Sequence, residues 1–234
     1  MKLVKLLANL GYGSRREVQR FIRAGAVTDV SGKVLSENEA PPHDRILFRG
    51  EPLDPPSPFT IIVNKPDGYT CSTEDPDDTV YDLLPARFAC RNPGLNPIGR
   101  LDKDTTGLLL MTDDGKLLHK IIHPKSNCLK AYQVVLDRPL EGHEAELFAS
   151  GTLMLNSETR PLLPAQLEVT GEKEARITLH EGRYHQVRRM FAAAGNHVLE
   201  LKRISIGGLK LPDDLEEGDW RVLTSEELEA VFGR

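Results

Sequence analysis

The densest group of chemically capable side chains in this 234-residue chain lies at residues 99–107, Gly-Arg-Leu-Asp-Lys-Asp-Thr-Thr-Gly. The segment runs directly into residues 108–111, Leu-Leu-Leu-Met, an apolar run typical of a buried strand. Catalytic groups are often carried by loops that a rigid scaffold holds in place. An ionised Asp102 in such a loop could act as a base, as a nucleophile, or as the stabiliser of a cation at the anomeric carbon of a sugar.

Two other interpretations of this segment stay open at this point. Asp102 and Asp104 could be turn or cap residues, which is the commonest role of aspartate in loops. They could also form the paired carboxylates of a hydrolase, although the i,i+2 spacing of the pair carries little information by itself.

A second candidate cluster spans residues 181–191, Glu-Gly-Arg-Tyr-His-Gln-Val-Arg-Arg-Met-Phe. The pattern predicts a turn followed by an amphipathic helix whose first turn is rich in hydrogen-bond donors. Such a helix N-terminus with arginines nearby suits a phosphate or a carboxylate, and a structural cluster of salt bridges is the alternative. A third candidate is Tyr132, near the start of a predicted strand, where the ring could stack on a base or pack on the sheet.

The sequence contains no convincing metal or cofactor site. His119 and His123 have the i,i+4 spacing of helical metal ligands, but Lys120 stands where a metalloprotease needs its glutamate, and no third ligand is evident. The cysteines are odd in number and form no C-x-x-C pair, which argues against disulfides and zinc; they are Cys71, Cys90 and Cys128. We therefore predict that the protein uses no cofactor and no metal.

The charge of the chain is unevenly distributed, although its net value is −5. Residues 1–50 carry nine basic and five acidic residues, a balance of +4, and the remaining chain carries −9. Residues 14–17, Ser-Arg-Arg-Glu, have the form of a capping box at the start of a predicted helix. Four basic side chains lie mostly off the apolar stripe of that helix: Arg15, Arg16, Arg20 and Arg23. They would form an exposed basic surface, either a site for a polyanion or a merely solvated helix face.

The pattern of apolar residues divides the chain into two domains. Two predicted helices and a predicted hairpin at residues 27–35 make residues 1–50 a compact module. Proline is frequent after residue 40, and residues 51–58 predict a stiff linker because proline restricts the backbone to extended conformations. Residues 59–234 are expected to form the second, larger domain.

The second domain is predicted to be α+β, with a mixed and mainly antiparallel sheet. Strand-like runs dominate it, without the regular βαβ alternation or the glycine fingerprint of a dinucleotide-binding sheet. The predicted strands are residues 60–64, 107–112, 132–137, 165–170, 176–181 and 198–206. The predicted helices are residues 115–123, 141–151, 185–194 and 225–232.

The composition is that of a globular protein, with 39% apolar and 28% charged residues. No apolar run approaches the about 20 residues that a membrane helix needs, and the first residues lack the apolar stretch of a signal peptide. We therefore expect a soluble, cytoplasmic protein that does not act at a membrane.

These segments together resemble the pseudouridine synthases, in particular the family of the ribosomal small-subunit enzyme. The resemblance rests on residues 64–66 (Asn-Lys-Pro), 99–109, 130–132 (Lys-Ala-Tyr) and 181–190. Residues 13–17 and 22–27 are similar to an S4 RNA-binding domain. The pair Tyr184-His185 and the segments 69–73 and 191–198 are more similar to the small-subunit enzyme than to its large-subunit relatives.

The resemblance implies a role for each of the main candidates. Asp102 matches the essential aspartate of the family, and Tyr132 matches the residue that stacks on the target uracil and assists removal of the C5 proton. Arg188 matches the basic residue that pairs with the aspartate, which would orient Asp102 and keep it charged. Val187 matches the apolar wall beneath the base. Further residues are predicted to bind the RNA substrate: Arg100, Leu101, Arg183, Arg189, Arg15, Arg16 and Arg20.

The resemblance implies an isomerase that converts a uridine in RNA to pseudouridine, with uridine 516 of 16S ribosomal RNA as the expected target. The partner would be this RNA, free or in an assembling small subunit, and the protein would act as a monomer. Two alternatives are a synthase that modifies 23S RNA and a catalytically idle RNA-binding factor of ribosome assembly. An idle factor would be expected to lose Asp102, Tyr132 or Arg188, and the chain keeps all three.

Overall fold

The structure, a computed structural model, describes residues 1–73, 76–123, 126 and 128–233. It confirms the α+β class, with a small N-terminal sheet and a larger mixed sheet. The N-terminal part contains helices α1 (Leu3–Asn9) and α2 (Arg15–Arg23) and strands β1 (Val27–Asp29), β2 (Ile46–Phe48) and β3 (Glu51–Pro52). The three strands form an antiparallel sheet in the order β1-β2-β3, and the apolar side chains of this part form a core of their own.

Helix α2 carries the predicted basic surface, and local hydrogen bonds cap both of its ends. Ser14 Oγ accepts from the backbone N–H of Glu17 at 3.4 Å, and the Glu17 carboxylate accepts from the Ser14 N–H at 2.8 Å, which confirms the capping box. The helix ends before Gly25, whose φ of +74° permits the left-handed turn that follows. The arginines of the predicted surface are exposed: Arg15, Arg16, Arg20 and Arg23.

The predicted hairpin at residues 27–35 forms and is short: Thr28 and Val34 lie opposite each other, Asp29 N–H donates to the Lys33 carbonyl oxygen at 2.9 Å, and Leu35 N–H donates to the Val27 carbonyl oxygen at 3.0 Å. The main partner of β1 is β2, because β2 contributes to the N-terminal core while Val34 is exposed. β2 turns into β3 through Arg49 and Gly50, both with positive φ, as a two-residue hairpin turn requires. β3 lies within the predicted linker at residues 51–58, so the N-terminal sheet extends into that segment.

The large sheet consists of β4 (Thr60–Lys65), β5 (Asn96–Ile98), β6 (Thr105–Thr112), β7 (Lys130–Leu136), β8 (Gln166–Val169), β9 (Glu174–Leu179), β10 (Val198–Ile206), β11 (Leu209–Lys210) and β12 (Trp220–Val222). In the described part of the chain, the strand order is β12-β4-β6-β10-β7-β9-β8, with β5 beside β6 and β11 beside β10. β6 and β10 pair in parallel, whereas the neighbouring pairs are antiparallel. The predicted mixed sheet is therefore confirmed.

Helices flank this sheet and divide its apolar side chains between two cores. The helices are α3 (Gly115–Ile122), α4 (Glu144–Ala149), α5 (Gln186–Ala193) and α6 (Ser225–Ala230), and short 3-10 helices lie at His43–Arg45 and Ala86–Cys90. Successive side chains of a strand point to opposite faces. Leu109 and Met111 of β6 belong to the larger core with Phe191 of α5, and Leu108 and Leu110 belong to the smaller core with α3.

The longer elements lie close to their predicted limits, and the limits of β10 agree with the prediction. The strands that were not predicted, β2, β3, β5, β11 and β12, have two or three residues each. Such strands are too short for an alternating apolar pattern to emerge. None of the described helices has the length and apolar character that a membrane crossing requires.

A buried ion pair joins the segment at residues 54–59 to the large sheet. The Arg91 side chain is 1% exposed, with Nη2 3.6 Å from Asp113 Oδ2 and 2.9 Å from the carbonyl oxygen of Pro55. Its guanidinium lies 4.2 Å from the ring centre of Phe59, whose backbone N–H donates to Asp113 Oδ1. Burial lowers the pKa of Arg91, and the Asp113 carboxylate opposes that shift. Each charge therefore compensates the burial of the other.

We predict that Asp113→Ala strongly destabilises the protein, because it leaves the Arg91 guanidinium buried without a counter-charge. Loss of one partner of a buried pair costs about 3–5 kcal/mol. Urea unfolding measures the drop in the free energy of unfolding. Glu39→Ala, which breaks the more exposed pair with Lys33, should leave the midpoint unchanged. An Asp113→Ala midpoint equal to that of the unmodified protein would contradict the account.

Candidate active site

The loop between β5 and β6 presents Asp102 at a small pocket. The Asp102 side chain is 29% exposed, and the pocket lining includes Tyr132 of β7 and Val187 of α5. Arg100 and Leu101, the two residues before Asp102, also line the pocket. The structure therefore brings these five sequence-predicted residues to one place.

One part of the pocket wall is apolar and shielded from solvent. Tyr132 is 9% exposed, and the lining residues Leu179, Val187 and Leu201 are buried. β7 pairs with both β9 and β10, so their side chains meet on one face of the sheet, where they share a core with α5. A carboxylate at the edge of such a wall faces a space that can hold a flat ring and keep water from it.

Lys65, the last residue of β4, holds the loop on the C-terminal side of Asp102. The residue is fully buried, and its ammonium group donates to the carbonyl oxygens of Pro66 (3.0 Å), Lys103 (3.0 Å) and Thr105 (2.8 Å). Burial lowers the pKa of Lys65, and neighbouring negative charges, including that of Asp102, oppose the shift. All three N–H groups of the ammonium are thus used to hold the backbone.

Arg203 of β10 supports the same loop at its other end. The side chain is buried, Nε donates to the carbonyl oxygen of Leu108 at 2.7 Å, and Nη2 lies 3.5 Å from the carbonyl oxygen of Gly99. The close approach of the two strands requires glycine at position 107, because a Cβ on Gly107 would lie 2.3 Å from the Arg203 carbonyl oxygen. No salt bridge to Arg203 occurs among the described residues, so backbone carbonyls compensate its charge as they do that of Lys65.

The side chain beside the Asp102 carboxylate is His185, which was not among the predicted site residues. His185 Nε2 lies 3.3 Å from Asp102 Oδ1, and the imidazole stacks on Tyr184 with ring centres 3.9 Å apart. His185 precedes α5 with a φ of +47°, a left-handed conformation that is uncommon for residues other than glycine and clusters at functional sites. Its place directly before a predicted helix, in the donor-rich segment 181–191, is the feature of the sequence that could have identified it.

Arg188 pairs with Asp104 rather than with Asp102, so the predicted pairing is wrong. Arg188 Nη2 lies 2.9 Å from Asp104 Oδ2 and donates to the Asp104 carbonyl oxygen, while Nη1 donates to the carbonyl oxygen of Val198. Val187 and Arg188 are adjacent in α5 and therefore point about 100° apart around the helix. Since Val187 lines the pocket, Arg188 reaches the end of the loop instead of the Asp102 carboxylate.

Arg183 and Arg189, the predicted phosphate contacts, take part in an ion-pair network within the chain. Arg183 pairs with Glu158 at 3.1 Å and with Glu181 at 2.9 Å, and Arg189 pairs with Glu158 at 2.9 Å. The hydrogen bond from Arg189 lowers the pKa of Glu158, and Arg183 adds to the effect. The network fastens the turn before α5 to residues 156–161. Contact of these two arginines with RNA stays a prediction.

We predict that Lys65→Met loosens the loop that carries Asp102, because three backbone carbonyl oxygens lose the ammonium group that donates to them, one of them in a buried hydrogen bond. An unsatisfied buried group costs about 1–3 kcal/mol, which corresponds to amide hydrogen exchange about 5- to 150-fold faster in residues 102–106. Mass spectrometry of the whole protein measures this exchange, with Lys116→Met at an exposed position of α3 as the control. Unchanged exchange in residues 102–106 would show that the loop keeps its conformation without Lys65.

Known proteins share both parts of this architecture. Residues 60–193 match the family described as RNA pseudouridylate synthase, and residues 1–35 match the S4 domain. Ribosomal small subunit pseudouridine synthase A of Yersinia pestis is 44% identical over 99% of this chain and 98% of its own length. The protein of the same name from Escherichia coli (strain K12) is 46% identical over 99% of this chain and 100% of its own.

A solved structure agrees with these similarities. It is described as a pseudouridylate synthase, has a TM-score of 0.70 and 37% sequence identity, and is matched over 99% of both chains. The resemblance found in the sequence is therefore confirmed over nearly the whole chain. The chain belongs to the RNA pseudouridylate synthase family and is an isomerase that converts uridine to pseudouridine in RNA.

Proposed function

We propose that this enzyme modifies uridine 516 of 16S ribosomal RNA and that Asp102 is the reacting carboxylate. The observation that carries the proposal is the pocket in which Asp102 lies with Tyr132 and Val187. The choice of RNA is supported by the two relatives, which are named as small-subunit synthases and are similar over nearly their full length.

The reaction breaks the bond between C1′ and N1 of the uridine, turns the uracil, and joins C1′ to C5; C5 loses a proton and N1 gains one. Atoms and oxidation state are unchanged overall, so the proposed reaction needs no cofactor. The Asp102 carboxylate can serve it by attack on the sugar, by attack on the base, or by removal of the 2′ proton of the ribose. Each of these routes uses the ionised form of Asp102.

The apolar wall retains the detached uracil in this proposal. Tyr132 stacks on the uracil and assists removal of the C5 proton, while Val187 and Leu201 keep water from the open C1′. A stacked base cannot reach such a pocket, so the target nucleotide must first turn out of its strand. Arg100 lines the pocket and is exposed, which supports a role for its cation in binding the phosphates of the turned-out nucleotide.

Arg188 acts here as a positioning residue. It connects α5 to Asp104 at the end of the loop and to Val198 at the start of β10, so the element that carries Val187 and the loop that carries Asp102 move as one body. The role of Arg188 in the proposed mechanism is therefore exerted through the loop and not by contact with the substrate.

The N-terminal part is proposed to supply affinity for RNA but no chemistry. Three of its exposed arginines, Arg15, Arg16 and Arg20, present positive charge that releases counterions from phosphates. The proposed division is an RNA-binding domain at residues 1–50, a linker at residues 51–58 and a catalytic domain at residues 59–234. Because one chain carries every residue of the proposed site, we propose a monomer, which acts on ribosomal RNA in the cytoplasm.

We predict that Asp102→Asn folds and binds RNA but forms no detectable product. Loss of a group that transfers protons or attacks the substrate lowers the rate by at least about 100-fold. The assay is single-turnover release of tritium from 16S ribosomal RNA that contains 5-tritiated uridine. Circular dichroism and an RNA-binding titration show that the variant is folded and still binds.

Asp104→Asn is the matched control, because Asp104 lies in the same loop and its side chain is 62% exposed. We expect a smaller loss of activity there, whereas a hydrolase-like pair of carboxylates would lose as much at Asp104 as at Asp102. Undiminished tritium release from Asp102→Asn would refute the role of this carboxylate. Release from 23S instead of 16S RNA would favour a large-subunit synthase, and release from neither would favour an RNA-binding assembly factor.

Replacement of Arg15, Arg16 and Arg20 by Gln should weaken RNA binding and reduce its dependence on salt. The logarithm of the binding constant K falls linearly with log[salt], and each lost phosphate contact makes this decline shallower by about 0.7–0.9. Titrations at several salt concentrations measure the slope, and kcat at saturating RNA should stay at the value of the unmodified enzyme. Lys116→Gln, at an exposed position of α3, is the matched control. If the slope does not change, the proposed RNA surface is wrong.

A further inference from the structure

Tyr184 is the most exposed of the large apolar and aromatic side chains in the described part of the chain, at 75%. A single exposed tyrosine is ordinary on a protein surface. This one differs because its backbone is tightly held, its ring is already stacked, and it lies beside the Asp102 pocket. These three features together require an explanation beyond surface composition.

The backbone around Tyr184 is fastened on both sides. Arg183 binds acceptors on neighbouring segments: Glu158, Glu181 and the carbonyl oxygens of Arg160 and Pro161. Arg189 donates to the Tyr184 carbonyl oxygen at 3.0 Å. The Tyr184 ring stacks on His185 with an angle of 17° between the ring planes. The ring is therefore held in place before anything binds, which reduces the entropy that a contact would cost.

The Tyr184 ring lies one imidazole away from the carboxylate of the pocket. It stacks on His185, and His185 Nε2 is 3.3 Å from Asp102 Oδ1. The imidazole covers one face of the Tyr184 ring, and the high exposure of the residue leaves the other face open to solvent. A flat group that continued this stack would lie next to whatever occupies the pocket.

We propose that the Tyr184–His185 stack is a platform for the RNA base that adjoins the target uridine. The proposal rests on the proposed function, because a uridine that turns out of its strand leaves a neighbouring base without a stacking partner. Proteins recognise such unpaired bases in RNA by stacking them on aromatic rings. The open face of Tyr184 replaces the partner that the base has lost.

The surroundings favour RNA over a protein partner at this place. Arg100, an exposed cation, lines the same pocket that Asp102 and His185 line. A cation in this pocket, together with an exposed aromatic ring stacked on His185, suits a strand that carries phosphates and bases. Tyr132 has a different role in this arrangement, since it is buried in the pocket wall and meets the target uracil itself.

The first test compares Tyr184→Ala with Tyr184→Phe, each combined with Asp102→Asn so that binding is measured without turnover. The probe is a 16S RNA fragment that the unmodified enzyme converts. Base–aromatic stacking is worth about 1–3 kcal/mol, so Tyr184→Ala should bind about 5- to 150-fold more weakly. Tyr184→Phe keeps the ring, and its affinity should stay within about twofold of that of the parent, the protein that carries Asp102→Asn alone. Val169→Ala, at an exposed position of β8, is the control for loss of an exposed apolar side chain.

The second test removes the base instead of the ring. Two RNA fragments carry an abasic site immediately 5′ or immediately 3′ of the target uridine. One of them should bind the parent protein as weakly as Tyr184→Ala binds the intact RNA. For that fragment, the abasic site combined with Tyr184→Ala should weaken binding no more than either change alone, because both changes remove the same contact.

The proposal is overturned if Tyr184→Ala binds like the parent, if Tyr184→Phe binds as weakly as Tyr184→Ala, or if the two losses add for both fragments. These results are read from binding alone. Failure of the unmodified enzyme to form pseudouridine in any ribosomal RNA would contradict the proposed function instead, so the two failures are distinguishable.

Discussion

Two buried cations hold the loop that carries Asp102, and the geometry of the site depends on them. Lys65 of β4 and Arg203 of β10 lie on strands that flank β6, and they donate to carbonyl oxygens near the two ends of the loop. A buried charge is costly unless polar groups compensate it. Here the loop backbone compensates both cations, and the cations in turn donate hydrogen bonds to the loop carbonyls. Loop and strands therefore stabilise one another.

The pocket has an apolar interior and a polar mouth, and segments that are distant in the chain contribute to both. Tyr132 and Val187 form the shielded wall, whereas His185 and Arg100 stand at the exposed side near the Asp102 carboxylate. Arginines that looked available for RNA in the sequence are partly used to build the turn before α5. The same helix thus supplies a wall to the pocket and, through the ion pairs before it, a rigid rim.

Local patterns in the sequence predicted the α+β fold and the longer strands, and the resemblance to the family predicted which residues meet at the pocket. The apolar residues of segment 198–206 indicate β10, and the charged segment before β6 makes Asp102 a candidate. The partner of Arg188 and the contacts of Lys65 and Arg203 depend on which strands become neighbours, and no local pattern encodes this. The sequence indicated the short hairpin at residues 27–35 but not the pairing of β1 with β2, since that pairing depends on the core that β2 completes.

β6 and β10 are adjacent in parallel, although residues 113–197 separate them in the chain. Parallel neighbours need a long crossover, and contacts between such distant segments are slow to form in folding. Leu201 in the pocket wall and Arg203 under the loop both belong to β10. A nascent chain that already displays Asp102 and Tyr132 therefore has no finished pocket, and the enzyme becomes able to receive a nucleotide only after β10 has been synthesised and has paired with β6.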